Sequence, residues 1–278
     1  MVIQHGTCIG IVTATLLTTA RLWGGISDFN TWRQVQDPAD AHFTSLVNSS
    51  SSITLSASGG PVPAATDIGY QSVNGNSFTS STAGYGFSPS SDFSVAVDFS
   101  LTASGSGGLG IGFGLGEDIN GMNSAGVAML TVNGSPSLFF GGAARINDVN
   151  QSPQAISVAA QNSGRLILSY NAASGNVQVG VSTNGDDTPE GTTTFSGIEH
   201  SWTNQPLLVS FFERSDNSLS PAWTSGTASA VFTNFHVISG TPIAVPEPSS
   251  LALVAAAVGA IGMFFRRRIG ATRSGQLG

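Results

Sequence analysis

Carboxylates placed to cleave a glycosidic bond are the first residues to look for. Such chemistry uses two of them flanking the bond, and a Glu-x-Asp spacing on a strand would put both on one face. The chain contains no Glu-x-Asp, and its nearest approximations are Glu213 with Asp216 and Glu199 with His200. Glu213 beside Arg214 is typical of an exposed ion pair, and His200 near Trp202 is typical of loop packing. We therefore assign no catalytic residue and expect a protein that is not an enzyme.

A cation site is the second candidate. Glu117, Asp118, Asn120 and Asn123 place oxygen ligands around the Asn120-Gly121 turn. Oxygen ligands spaced in this way suit Ca²⁺, although the segment lacks the complete loop of an EF-hand. The alternative is an ordinary Asp-x-Asn-Gly turn without metal. No other cofactor is expected.

Three aromatic residues are candidates for stacking on sugar rings. Trp202, Trp223 and Tyr85 fall in predicted loops, where an exposed ring could contact a sugar through its apolar face. The alternative is that these large rings fill the ends of a hydrophobic core.

Charge excludes one class of partner. Residues 26–244 contain 15 Asp or Glu, 4 Arg and no Lys, a net charge of 4 − 15 = −11. Binding to nucleic acid or to anionic lipid requires a positive field, so neither is expected.

The elements that must position these residues are strands. Phe93–Leu101 alternates apolar and polar residues, and Leu109–Leu115 alternates apolar residues with glycine. The glycine face is flat enough for another backbone or a ligand to approach. Turn dipeptides such as Asn133-Gly134 and Ser174-Gly175 separate further short runs. The pattern predicts an all-β fold, a two-sheet antiparallel sandwich of the jelly-roll type.

The N-terminal 50 residues divide into two segments. Residues 1–25 are predicted to be a signal peptide, with a short apolar run at Ile9–Leu17 and a mature start near Gly25. Its removal takes away Cys8, the only cysteine, so the mature chain can hold neither a disulfide nor a Cys-based zinc site. Residues 26–50 are predicted to lead into the sandwich as a short helix or a loop.

The C-terminus predicts a membrane span. Ser249–Phe265 is uncharged, and its 17 residues would span about 26 Å as a helix, slightly less than a hydrocarbon core of ~30 Å. Three arginines follow, Arg266, Arg267 and Arg268, and their side chains can reach the interface. The positive-inside bias places them in the cytoplasm and the rest of the chain outside.

This C-terminal pattern resembles a known sorting signal. Val245, Pro246, Glu247 and Pro248, then a hydrophobic span and an arginine cluster, are similar to the PEP-CTERM signal of Gram-negative bacteria. The resemblance implies recognition by an exosortase, a membrane-embedded protease, and a host that makes exopolysaccharide and biofilm matrix. The tail after the arginines is longer than this signal usually carries.

The sandwich carries a second resemblance. The hairpin over 164–181 and the alternating strand over 230–240 are similar to their counterparts in concanavalin A-like (laminin G-like) jelly rolls. That fold hosts lectins, glycanases and adhesive modules, so it implies no single function.

These observations give the following organisation: signal peptide 1–25, lead-in 26–50, sandwich 51–240, linker with Pro-Glu-Pro 241–248, transmembrane helix 249–265 and basic cytoplasmic tail 266–278. We expect an exported cell-surface or matrix protein, anchored in the inner membrane before any release, with exopolysaccharide as its ligand. The alternatives are a glycan hydrolase with a non-standard carboxylate pair and a purely structural matrix protein.

Overall fold

The computed structural model describes residues 28–37, 40–62, 66–117, 123–132, 135–199, 202–215 and 222–245. Within these ranges a 3-10 helix, Phe29–Thr31, precedes a series of strands. The strands are β1 Arg33–Asp37, β2 Phe43–Ser49, β3 Ser52–Ser58, β4 Thr66–Gln71, β5 Tyr85–Phe87, β6 Phe93–Ser106, β7 Leu109–Gly116, β8 Ser124–Val132, β9 Ser135–Ile146, β10 Val149–Asn150, β11 Gln154–Ile156, β12 Ser163–Asn171, β13 Asn176–Ser182, β14 Gly191–Phe195, β15 Leu208–Ser215, β16 Ser225–Ser239 and β17 Pro242–Ala244.

The strands form two large antiparallel sheets and a small one made of β5 and β17. The eight-stranded sheet has the order β1-β4-β15-β7-β8-β9-β10, with β11 also paired to β9. The seven-stranded sheet has the order β14-β13-β12-β6-β16-β3-β2. Consecutive strands often belong to different sheets. For example, β15 lies in the eight-stranded sheet, and β16, the next strand in the chain, lies in the seven-stranded sheet. The predicted all-β antiparallel sandwich is confirmed.

The core lies between the two sheets and follows from the alternation. On β6 the inward side chains of Phe93, Val95, Val97, Phe99 and Leu101 are each at most 3% exposed. Aromatic rings join the layers, since Phe211 of β15 stacks on Phe232 of β16 with ring centroids 4.7 Å apart. Burial of these apolar faces supplies the main force that holds the sheets together.

Both ends of the domain extend beyond the predicted boundaries. The 3-10 helix Phe29–Thr31 agrees with the short helix expected in residues 26–50. The same segment also supplies β1 at the edge of one sheet and β2 at the edge of the other, which the sequence did not predict. The predicted linker contains β17, which pairs with β5 through Pro242–Phe87, Ile243–Gly86 and Ala244–Tyr85.

The predicted signal peptide, the transmembrane helix at 249–265 and the arginines Arg266, Arg267 and Arg268 lie outside the described residues. Within the described ranges no helix is long and apolar enough to cross a membrane.

Candidate functional site

A groove of about 460 Å³ lies on the outward face of the eight-stranded sheet. Its floor comes from β4, β15, β7 and β8, and one wall comes from β9 and the turn over 150–153. The turn is held close because the Gln151 amide donates to the Ala144 carbonyl at 2.8 Å. The groove is therefore built on a rigid sheet and bounded by a single short turn.

Glycine makes the floor flat. Gly112 and Gly114 of β7 and Gly126 of β8 lie side by side on the outward face, as the glycine alternation predicts. Above them lies the ring of Phe212, whose Cζ is 2.8 Å from the position a Cβ on Gly112 would take. Its Cε1 is 3.1 Å from the corresponding position on Gly126. The ring thus rests on bare backbone, and any side chain beneath it would lift it.

Phe212 is half-buried, and the groove rim is polar. Ser210 of β15 is half-buried and lines the groove, whereas its strand partner Gln71 of β4 is only 6% exposed. Asn150 and Ser152 of the turn line the opposite side. The groove therefore combines one aromatic face with neutral hydrogen-bonding groups.

The charged groups of the groove are ion-paired. Arg214 donates through Nη1 to Asp67 Oδ2 at 2.8 Å. Arg145, across the floor on β9, pairs with Asp148. Asp67 is the carboxylate among the described lining residues.

Glu213 does not lie in the groove. On β15 the alternation turns Phe212 and Arg214 outward, so Glu213 points into the core, where it is 0% exposed. Neither carboxylate oxygen has a hydrogen-bond partner in the described structure. Burial raises the pKa of Glu213 to about 9. The expectation of an exposed Glu213–Arg214 ion pair is therefore wrong, since Arg214 pairs with Asp67 on the other face of the sheet.

Glu199, the other carboxylate considered, follows β14, an edge strand of the seven-stranded sheet. Its neighbour His200 lies outside the described residues, as does Asp216. The structure therefore does not bring Glu199 and Glu213 together on the groove face.

Glu117 of the predicted calcium turn serves a structural purpose. Its Oε1 accepts hydrogen bonds from the Thr203 amide at 2.6 Å and the Gln205 amide at 3.3 Å, and its Oε2 accepts from the Thr203 hydroxyl. Asn123 Oδ1 accepts from the Asn147 amide at 2.7 Å. Asp118 and Asn120 lie outside the described residues. Among the described residues no group of three or more His, Cys, Asp or Glu is arranged for a metal, and calcium at this turn stays a prediction.

The three predicted stacking residues lie in the core. Trp202, Trp223 and Tyr85 are 8%, 1% and 2% exposed. Trp223 Nε1 donates to the Gly59 carbonyl at 3.0 Å, and the Trp202 ring packs on Tyr170 with centroids 5.4 Å apart. None of the three rings has an open face for a sugar. They fill the hydrophobic core, which is the alternative given for them in the sequence analysis.

Phe212 was missed by the sequence reasoning. A signal existed, since the glycine alternation in β7 predicts that something lies flat against that face. What the sequence did not show is that Phe212 is the residue opposite Gly112.

The C-terminal end of the domain is fixed in place. Val245 is 4% exposed and packs with Val73 and Leu208, and its amide donates to the Gly84 carbonyl at 2.9 Å. Pro246, Glu247 and Pro248 follow directly and lie outside the described residues.

The fold and this C-terminus define an exported β-sandwich protein. Residues 244–268 match the family model described as the PEP-CTERM protein-sorting motif. The chain therefore carries this motif, which implies export and processing by an exosortase. A comparison with the curated proteins found no match.

Several solved structures are similar to this chain at low identity. A functionally unknown protein from Saccharomyces cerevisiae is 10% identical with a TM-score of 0.47, covering 77% of this chain and 99% of its own. The alginate lyase from Klebsiella pneumoniae is 9% identical with a TM-score of 0.46, covering 77% and 97%. A legume lectin-like domain from Entamoeba histolytica is 10% identical with a TM-score of 0.41, covering 76% and 91%. Similarity of this degree concerns the fold and carries no information on a ligand.

Proposed function

We propose that this is an exported, non-enzymatic cell-surface or extracellular-matrix protein whose groove binds polysaccharide. The observation that carries the proposal is the ring of Phe212, which lies half-buried over the glycine floor. Sugar rings have flat apolar faces that pack on aromatic rings, and their hydroxyls pair with amides and hydroxyls at the edge. Phe212 supplies the first kind of contact, and Ser210 and the exposed Asn150 supply the second.

The shape of the groove favours a polymer over a small ligand. The groove lies on an open sheet face rather than in an enclosed cavity, and its lining extends from β4 to β9. Across the order β4-β15-β7-β8-β9 that is four strand spacings, about 19 Å at ~4.8 Å each. A polysaccharide can enter such a groove from the side without threading an end.

Among the described residues that line the groove, Asp67 is the carboxylate, and the pair that glycosidic hydrolysis uses is not present among them. Asp67 is held by Arg214, and Glu213, the nearest carboxylate along β15, points into the core. The alternatives remain a hydrolase that uses a non-standard carboxylate pair and a structural matrix protein with no ligand. A structural protein gives the open face of Phe212 no use, and a hydrolase would need, beside that ring, a carboxylate pair that the described lining residues do not supply.

Delivery to the cell surface follows from the sorting motif. We propose that the helix at 249–265 anchors the chain in the inner membrane with Arg266, Arg267 and Arg268 inside. An exosortase acting at the Pro-Glu-Pro segment would then release the domain to the cell surface or the matrix.

The test is a glycan array probed with the full chain, purified in a zwitterionic detergent because sugar-headed detergents would compete. We expect saturable binding and no release of reducing ends. Phe212→Ala should weaken binding at least ~5-fold, since stacking of a nucleic-acid base on an aromatic side chain contributes on the order of 1–3 kcal/mol and a sugar face makes the same kind of contact. Leu46→Ala is the control, because Leu46 is 62% exposed on the other sheet.

Three results would contradict the proposal. Release of reducing ends would support the hydrolase. Absence of binding would support a structural protein. Equal binding by the wild type and Phe212→Ala would mean that the groove is not the site.

A further inference from the structure

We infer that the groove selects uncharged polysaccharide and rejects polyuronates and other acidic chains. This inference rests on the proposed function and names the ligand class of that site. It is argued from the two ion pairs that border the floor and from the charge of the domain that carries the groove.

The two arginines of the groove are neutralised in place. Arg214 and Arg145 lie on β15 and β9, three strands apart, and the pairing register places Arg145 level with Leu208, 214 − 208 = 6 residues from Arg214 along β15. At the usual strand spacings this is about 14 Å across the strands and about 20 Å along them. A guanidinium at each end would be a natural clamp for carboxylate groups along a polymer. Each is instead paired with an acid of the chain itself, Arg214 with Asp67 and Arg145 with Asp148. The four charges sum to zero.

The surrounding domain opposes an acidic polymer. Residues 26–244 carry a net charge of 4 − 15 = −11 and no lysine. A polyanion approaching such a domain meets a repulsive field, which is strongest at low ionic strength. A groove whose own cations are already paired cannot offset that repulsion. An uncharged polysaccharide is not repelled by the acidic domain and needs no free cation in the groove.

The remaining contacts of the groove suit hydroxyl groups. Ser210, Ser152 and Asn150 line it alongside Phe212. Amide and hydroxyl side chains both donate and accept hydrogen bonds, which matches the mixed character of sugar hydroxyls. Asp67 and Asp148 therefore act as specificity-determining residues that keep the arginines occupied.

The experiment is affinity electrophoresis of the full chain in the same zwitterionic detergent. The gels contain an uncharged polysaccharide (hydroxyethylcellulose, dextran or starch) or an acidic one (polygalacturonate or alginate). We expect retardation by at least one uncharged polymer and none by the acidic polymers at ~50 mM salt. Asp67→Asn with Asp148→Asn should gain binding to polygalacturonate of ~10-fold or more, since charged hydrogen bonds contribute about 1.5–3 kcal/mol. That gain should fall as salt is raised.

The control is Asp92→Asn with Asp186→Asn, which changes the net charge equally. Asp92 accepts from the Ala172 amide and Asp186 from the Thr188 amide, and asparagine can keep both bonds. The control should leave polygalacturonate binding within ~2-fold of the wild type. If the wild type is retarded by an acidic polymer, polygalacturonate or alginate, this inference is overturned and the proposed function stands. An equal gain in the control would have the same consequence. Retardation by none of the polymers would overturn both.

Discussion

The buried carboxyl of Glu213 should make the stability of the domain fall as pH rises. Its pKa is about 9 in the folded protein against an ordinary 4.5, because burial disfavours the charged form. The folded state therefore binds the proton more tightly than the unfolded state. Below about pH 4.5 the carboxyl is protonated in both states, so its ionisation does not change the free energy of unfolding. Between the two pKa values each pH unit costs about 1.36 kcal/mol of unfolding free energy.

The substitution that isolates this effect is Glu213→Gln, which keeps the shape and removes the ionisation. Relative to the wild type, its free energy of unfolding should rise by about 4 kcal/mol between pH 5 and pH 8, from three units at ~1.36 kcal/mol each. Any constant cost of burying the amide cancels in this difference. The measurement is urea unfolding at several pH values, followed by tryptophan fluorescence, because Trp202 and Trp223 are buried.

The control is Glu190→Gln, because Glu190 is exposed and accepts from the Thr183 amide. Its difference from the wild type should stay nearly constant with pH. Parallel pH profiles for Glu213→Gln and the wild type would refute the reasoning. They would mean that Glu213 ionises in the folded protein.

Three further predictions concern named contacts. Gly112→Ala should destabilise the sheet by about 1–3 kcal/mol and weaken glycan binding. The new Cβ would clash with the Val127 carbonyl and lie 2.8 Å from the Phe212 ring. Urea unfolding measures the loss of stability, and the glycan array measures the loss of binding. Glu117→Ala should lower the free energy of unfolding by about 1–3 kcal/mol, equally in calcium buffer and in a chelator, because the carboxylate accepts hydrogen bonds from backbone amides at 203 and 205. A loss of stability seen only in calcium buffer would instead favour a bound metal. Val245→Asp should expose 242–245 to limited proteolysis, because a charge replaces a side chain that is 4% exposed, whereas Ile243→Asp at 39% exposed should not.

Much of the fold could be predicted from the sequence because local alternation carries it. The run from Phe93 to Leu101 fixes one inward face by itself, and β6 has that face. The hairpin of β12 and β13 is likewise local, since Asn171 and Asn176 pair at its end. The edge strands β1 and β2 were missed because their alternation is weak, and because β1 pairs with β4 rather than with its neighbour in the chain.

The sorting motif is also determined by the sequence alone. A tripeptide, an apolar run and an arginine cluster are read along the chain, and no tertiary contact is needed to recognise them. Tertiary structure adds that Ala244 and Val245, where the matched segment begins, are already part of the folded domain.

The groove was decided by tertiary structure, and Phe211 and Phe212 show why. Two adjacent aromatic residues make both faces of β15 apolar, so alternation cannot tell which one points inward. Packing decides, because Phe211 stacks on Phe232 of the other sheet. That choice turns Glu213 into the core and sets Phe212 and Arg214 on the open face. The sequence alone determines that this protein is exported and that it is a sandwich, whereas the contact between its two sheets decides which side chains face the groove.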